Sequence, residues 1–104
     1  MREFSALARG AFYRIKENPE VESIILSLSA GDEVVLVPEP TNRFDPNAIQ
    51  IHFESTNIAF VGKEWAAIIA PLITEGHEYT AKIDYFESTM SPVIQIIFPD
   101  LDEE

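Results

Sequence analysis

The chain has 104 residues, 46% of them hydrophobic, and a formal net charge of −11. That describes one small domain with enough apolar side chains for a core, on an anionic body that repels nucleic-acid phosphates at long range. The absence of cysteine excludes disulfides, thiolate nucleophiles and thiolate metal sites. No apolar run reaches the ~18 residues of a membrane helix, and Met1-Arg2-Glu3 is not followed by the apolar block of a signal peptide, so a reducing cytoplasmic setting without membrane contact is expected.

Taken in order, Phe4, Ala6, Ala8, Phe12 and Tyr13 surround Gly10 in residues 4–14; propensity permits a helix over Ala6-Leu7-Ala8-Arg9. Asn18-Pro19-Glu20 reads as a helix start, with Asn18 as N-cap and Pro19 at the first helical position. Val21, Ile24, Ile25 and Leu28 then repeat at helical spacing, and Gly31 is the expected stop. Val34-Val35-Leu36-Val37 is a continuous apolar run, which fits a central strand covered on both faces. Residues 48–54 alternate, with Ile49, Ile51 and Phe53 on one side. A turn at Ser55-Thr56-Asn57 and a strand at Ile58–Val61 complete a hairpin. Gly62-Lys63-Glu64 opens a helix with Trp65, Ile68, Ile69, Leu72 and Ile73 on one face, kinked by Pro71 and ended by Gly76. His77–Phe86 alternates with Tyr79, Ala81, Ile83 and Tyr85 facing one way. A loop over residues 87–92 leads to the last strand, Val93–Phe98. Four of the eighteen acids lie in the last five residues, so residues 99–104 read as an acidic, frayed tail after one domain over 1–98.

The loop Glu39-Pro40-Thr41-Asn42-Arg43-Phe44-Asp45-Pro46-Asn47-Ala48-Ile49 joins two of these strands. Its prolines hold Glu39 and Asp45 out of helix, and Arg43, Phe44 and Asp45 set a charge, a stacking face and an acceptor side by side. Glu39-Pro40, Asn42, Phe44-Asp45 and Asn47-Ala48-Ile49 resemble the signature of the HIRAN domain family. Gly10-Ala11-Phe12-Tyr13 is similar to that family's Gly-x-x-Tyr element near the end of its first strand. Ile58-Ala59-Phe60-Val61-Gly62-Lys63-Glu64-Trp65-Ala66 is similar to its Ile-Gly-Tyr-Val-Pro-Lys-Glu-x-Ala. Ala59 and Gly62 are departures, as is Arg43 where proline is common. The resemblance spans roughly residues 5–98 and implies a strand over 4–14. With it the order becomes β-α-β-β-β-α-β-β: an α+β, mainly β fold, a small six-stranded OB-like, partly open barrel with two helices.

The resemblance also implies a non-catalytic nucleic-acid-binding module that grips the 3′ end of single-stranded DNA in a repair or processing context. Tyr13 and Phe44 would stack on bases, and Asp45 would accept a hydrogen bond from the terminal 3′-hydroxyl. Asn42 would help hold the end nucleotide, Lys63 would meet a phosphate and Phe60 would line the pocket. Phe12 stands where an arginine is expected, so Arg14 or Arg43 would substitute. Of seven basic residues, Arg9, Arg14, Lys16, Arg43 and Lys63 lie in or beside the matched segments. Against these roles, Asp45 and Asn47 suit loop capping, Phe44 and Phe60 suit a core, and Trp65 has core spacing. His52 and His77 are isolated, and neither a zinc-ligand pattern nor a phosphate-cradling glycine loop occurs, so no enzyme, metal or cofactor is expected. A separately encoded helicase, nuclease or repair protein is a possible partner. The net charge, Phe12 and Arg43 support an alternative, an acidic protein–protein adaptor that kept the fold and lost the DNA site. A weaker third reading is an acidic mimic of DNA.

Overall fold

The structure, a computed structural model, describes residues 1–102. Strand β1 (Arg2–Arg9) turns Phe4, Ala6 and Ala8 inward, the period-two pattern of a half-buried strand. It stops at Gly10, whose φ of 80° is left-handed and costly for any residue with a Cβ. A helix begins there: the Arg14 amide donates to the Gly10 carbonyl at 3.0 Å, and α1 runs Ala11–Glu17. A single strand over 4–14 therefore does not form, and the described residues hold three helices rather than two. Helix α1 buries Ala11 and packs Ile15 on the core one turn later, leaving Phe12 and Tyr13 outside.

Helix α2 (Glu20–Ser27) starts as its sequence dictates. The Asn18 side-chain oxygen accepts from the Glu20 amide at 3.2 Å, and Pro19 already has helical angles. Val21 and Ile25 are buried. The helix ends before Gly31, because Leu28 turns extended. Gly31, at φ 95°, serves instead a turn in which the Asp32 carboxylate accepts from the Ser29 amide at 2.8 Å.

Strands β2 (Val35–Pro38), β3 (Ile49–Phe53), β4 (Thr56–Val61), β5 (Thr80–Ser88) and β6 (Ser91–Phe98) join β1 in one six-stranded sheet, ordered β2-β3-β4-β1-β6-β5. All pairs are antiparallel. The expected central strand, β2, is an edge strand, and Val35 is 57% exposed. A run of four aliphatic residues marks burial on one face here, because the other face is left by the curl of the sheet. That curl brings the two ends together. The Gly31 amide donates to Ile83, the Val34 amide to Ala81, and the Ile83 amide to Asp32. Beyond this seam the Tyr79 hydroxyl donates to the Leu36 carbonyl at 3.1 Å and accepts from its amide at 3.0 Å. The result is the expected mainly β, partly open barrel.

Helix α3 (Lys63–Thr74) covers one side. Trp65 meets Phe4 edge-on at 5.8 Å, while Ala66, Ile69 and Ala70 are buried and Ile68 faces out. The small Ala66 and Ala70 let the helix approach closely, which rotates the buried stripe away from Ile68. The helix continues through Pro71 and ends where the Gly76 amide donates to Ile73 and the His77 amide to Leu72, a Schellman closure. In β5 the ladder skips a residue between Ile83 and Tyr85, so Tyr85 leaves the inner face that strict alternation assigns it and Phe86 packs inward. The loop expected over 87–92 shrinks to a Thr89-Met90 turn, with Pro92 buried inside β6. Leu101 packs against the core, so the expected tail over 99–104 contains an anchored residue. Glu103 and Glu104 lie outside the described residues.

The β3–β4 turn is shorter than expected and built from Glu54 and Ser55, both at positive φ, 46° and 75°. Two-residue hairpins of this hand favour Asn-Gly, and each ordinary residue forced left-handed costs ~1–2 kcal/mol. Replacing Glu54-Ser55 by Asn-Gly is expected to raise the melting temperature, by roughly 4–8 °C for each kcal/mol regained, as scanning calorimetry would read.

Candidate nucleic-acid interface

The 39–48 loop folds back on itself. The Glu39 amide donates to Ala48 at 2.8 Å, the Asn42 amide to Glu39 at 3.0 Å and the Ala48 amide to Asp45 at 3.0 Å. Asn42 is the internal brace: its Oδ1 accepts from the amides of Phe44 at 2.8 Å and Asp45 at 3.0 Å, and its Nδ2 donates to Glu39 Oε1 at 2.9 Å. Asp45 Oδ1 accepts from the Asn47 amide at 3.0 Å, the local turn expected of this residue type. Its Oδ2 has no hydrogen-bond partner among the described residues.

This loop forms one wall of a pocket of about 360 Å³. Asn42, Asp45 and Ala48 line it from the loop, Arg9 and Gly10 from the end of β1, Phe60 and Val61 from β4, and Lys63 from the start of α3. A Cβ on Gly10 would lie 3.2 Å from Phe60 Cδ2, so any larger residue here would crowd the ring that lines the pocket. Gly62 is equally close-fitting. Its amide donates to the Leu7 carbonyl at 3.0 Å, a bond that proline could not make. Arg9 Nη2 rests 3.6 Å from Glu64 Oε1, with both side chains more than half exposed. Such a contact is worth about 0–1 kcal/mol, so it does not lock Arg9 in place. A larger depression of about 590 Å³, lined by residues such as Ile73, His77 and Tyr79, has no Lys or Arg in its wall.

Four of the expected residues, Asn42, Asp45, Phe60 and Lys63, thus meet around one cavity. Phe44 is 95% exposed at the loop tip and Tyr13 59% exposed on α1; neither lines the cavity, and neither is a core aromatic. Arg43 is also exposed on the loop. Arg14 is turned elsewhere, its Nε donating to the Asn57 carbonyl at 3.2 Å. Arg9 had no assigned role. The signal for it was present in β1, where Phe4, Ala6 and Ala8 face inward and the residue after Ala8 must face out beside Gly10. Among the described residues, no group of three or more His, Asp or Glu side chains is arranged to hold a metal ion.

The HIRAN domain family model matches residues 11–93. The chain belongs to the HIRAN family. By sequence, no curated protein matches it. Among solved structures it is similar to the HIRAN domain of human HLTF, at 14% identity and a TM-score of 0.70, over 90% of this chain and 72% of that one. It is also similar to a protein from Lactobacillus plantarum, at 15% identity and a TM-score of 0.75, over 91% of this chain and 93% of that one. At these identities the likenesses establish a shared fold. In this HIRAN domain the signature Glu39-Pro40 opens the braced loop, and the signature Phe44-Asp45 forms its tip.

His52 on β3 reaches the loop through Gln50, which contacts both His52 and Glu39. Burial, and secondarily the charge of Arg14, lower the pKa of His52 below 6.5. Because the folded state resists protonation more than the unfolded chain, this contribution to stability is complete above pH 6.5 and is lost as pH falls through the depressed value. Urea midpoints at pH 7.5 and 5.5 are therefore expected to drop more on acidification in the parent than in His52→Asn.

Proposed function

We propose that this HIRAN domain is a non-catalytic module that binds single-stranded DNA by its 3′-hydroxyl end in the 360 Å³ pocket. The observation that carries this reading is the meeting of two cations, Arg9 and Lys63, with a carboxylate, Asp45, one of whose oxygens has no hydrogen-bond partner among the described residues. On a chain of net charge −11, cations brought to one cavity are a local exception to the general repulsion. Asp45 among phosphate-binding groups would be unfavourable unless it had a donor to accept, and a terminal hydroxyl is such a donor. Phe60 in the wall and Phe44 at the exposed loop tip supply flat apolar surfaces for bases, with Tyr13 available to bases further along. Arg43 and Arg14 are secondary contacts at most, the first through its exposure and the second after release from Asn57. A repair or processing role in the cytoplasm, beside a separately encoded helicase, nuclease or repair protein, completes the reading.

Fluorescence anisotropy with a short labelled oligonucleotide tests it. A free 3′-hydroxyl is expected to bind and a 3′-phosphate to bind much more weakly. With two phosphate-facing cations, log K should fall against log salt with a slope of only about −1.4. Equal binding of both ends removes end recognition. Binding of neither at low salt selects the alternative, an acidic protein–protein adaptor, which the net charge favours.

A further inference from the structure

We infer that Glu39, which lies outside the pocket lining, is a positioning residue that sets the pocket's preference for a hydroxyl by anchoring the Asn42 side chain that braces the loop behind Asp45; this rests on the reading just given. Both oxygens of the half-buried Glu39 carboxylate are engaged. Oε1 accepts from Asn42 Nδ2 at 2.9 Å, and Oε2 accepts from Gln50 Nε2 on β3. Gln50 Oε1 in turn faces His52 Nε2 at 2.6 Å.

The chemistry of these groups leaves one consistent assignment. A carboxylate only accepts, so both neighbouring amides must present their NH2 groups to it. Asn42 must then point its oxygen the other way, which is where the Phe44 and Asp45 amides converge on it. Gln50 must likewise point its oxygen at His52, which carries its proton on Nε2. Glu39 is thus the single acceptor from which two polar chains run outward, one to the loop tip and one along the outer face of β3. Without that acceptor the Asn42 NH2 would have no partner, and the oxygen that braces the Phe44 and Asp45 amides would no longer be fixed from behind. The carboxylate of Asp45 would then no longer be held toward the pocket.

The test uses polarity rather than bulk. Glu39→Met keeps the length but leaves the Asn42 NH2 without its acceptor. Glu39→Gln restores that acceptor: its oxygen accepts from Asn42, and its NH2 donates to the oxygen of a Gln50 amide turned over toward it. Two measurements are made on the whole chain. Hydrogen exchange of the Phe44 and Asp45 amides is expected to quicken at least about fivefold in Glu39→Met, since the side chain that accepts from both is no longer anchored, and to return toward the parent rate in Glu39→Gln. The ratio of 3′-hydroxyl to 3′-phosphate affinity is expected to fall about tenfold and recover in parallel. Unchanged exchange in Glu39→Met, an unchanged ratio despite faster exchange, or a Glu39→Gln variant that behaves like Glu39→Met overturns the inference. A parent protein indifferent to the 3′ group overturns the functional reading instead, and the exchange rates then decide the role of Glu39 by themselves.

Discussion

Asp45→Ala is expected to weaken binding of a 3′-hydroxyl oligonucleotide by roughly ten- to a hundredfold, because a hydrogen bond to a charged group is worth ~1.5–3 kcal/mol and each tenfold in affinity corresponds to about 1.4. The weaker binding of a 3′-phosphate oligonucleotide should stay level or improve, since removing the carboxylate removes a like charge from beside the phosphate. The opposite responses are what separate a ligand contact from a damaged loop. Asp45 also holds the Asn47 amide at 3.0 Å, and losing that bond would reduce both affinities together. Asp45→Asn sharpens the comparison, because its side-chain oxygen can still hold Asn47 while the charge is gone. Titrations of both oligonucleotides against both variants read the result. If Asp45→Asn and the parent discriminate equally, the carboxylate is a loop cap and nothing more.

Phe98→Ala is expected to be the most damaging single change to the fold. Phe98 is fully buried, meets Phe4 at 6.0 Å edge-on and lies 6.1 Å from the Tyr79 ring. Truncating a buried phenylalanine costs ~3–5 kcal/mol, against the ~5–15 kcal/mol that holds a typical domain together. Here the loss reaches beyond the cavity itself. The ring of Tyr79 leans on Phe98, and the Tyr79 hydroxyl holds both the amide and the carbonyl of Leu36. Removing the ring therefore loosens β6 and the seam to β2 together. Chemical denaturation should show a midpoint shift of this size; a loss below about 1 kcal/mol would mean that neighbouring side chains collapse into the space far better than is usual.

The barrel was legible in the sequence where alternation was clean. Ile49 and Ile51 face inward, Ala81 and Ile83 do so on β5, and Asn18-Pro19 starts its helix. It was not legible where one residue changes the chain's direction. Gly10 separates β1 from α1 through a left-handed φ, and a period count over residues 4–14 cannot distinguish that break from a bulge. The skipped ladder position after Ile83 moved Tyr85 outward for the same reason. An apolar run such as Val34–Val37 reports burial but not whether the strand stands at the centre of a sheet or at its edge. For the site, the family resemblance named Asn42, Asp45, Phe60 and Lys63, which meet at one cavity. It could not supply Arg9, whose place depends on where β1 ends, and it gave Glu39 a place in the signature but no role.

The seam beside Tyr79 also bears on how the molecule behaves in company. The outermost strand of an open sheet is ordinarily a template on which a second chain can lay its own backbone, the first step toward fibrils. Along β2 the outward amide and carbonyl of Leu36 are already held by a phenol, the preceding amide of Val34 is bonded to Ala81, and Pro38 has no amide to offer. A stray strand arriving there finds no continuous row of partners, so this edge is a poor template even though the barrel never fully closes.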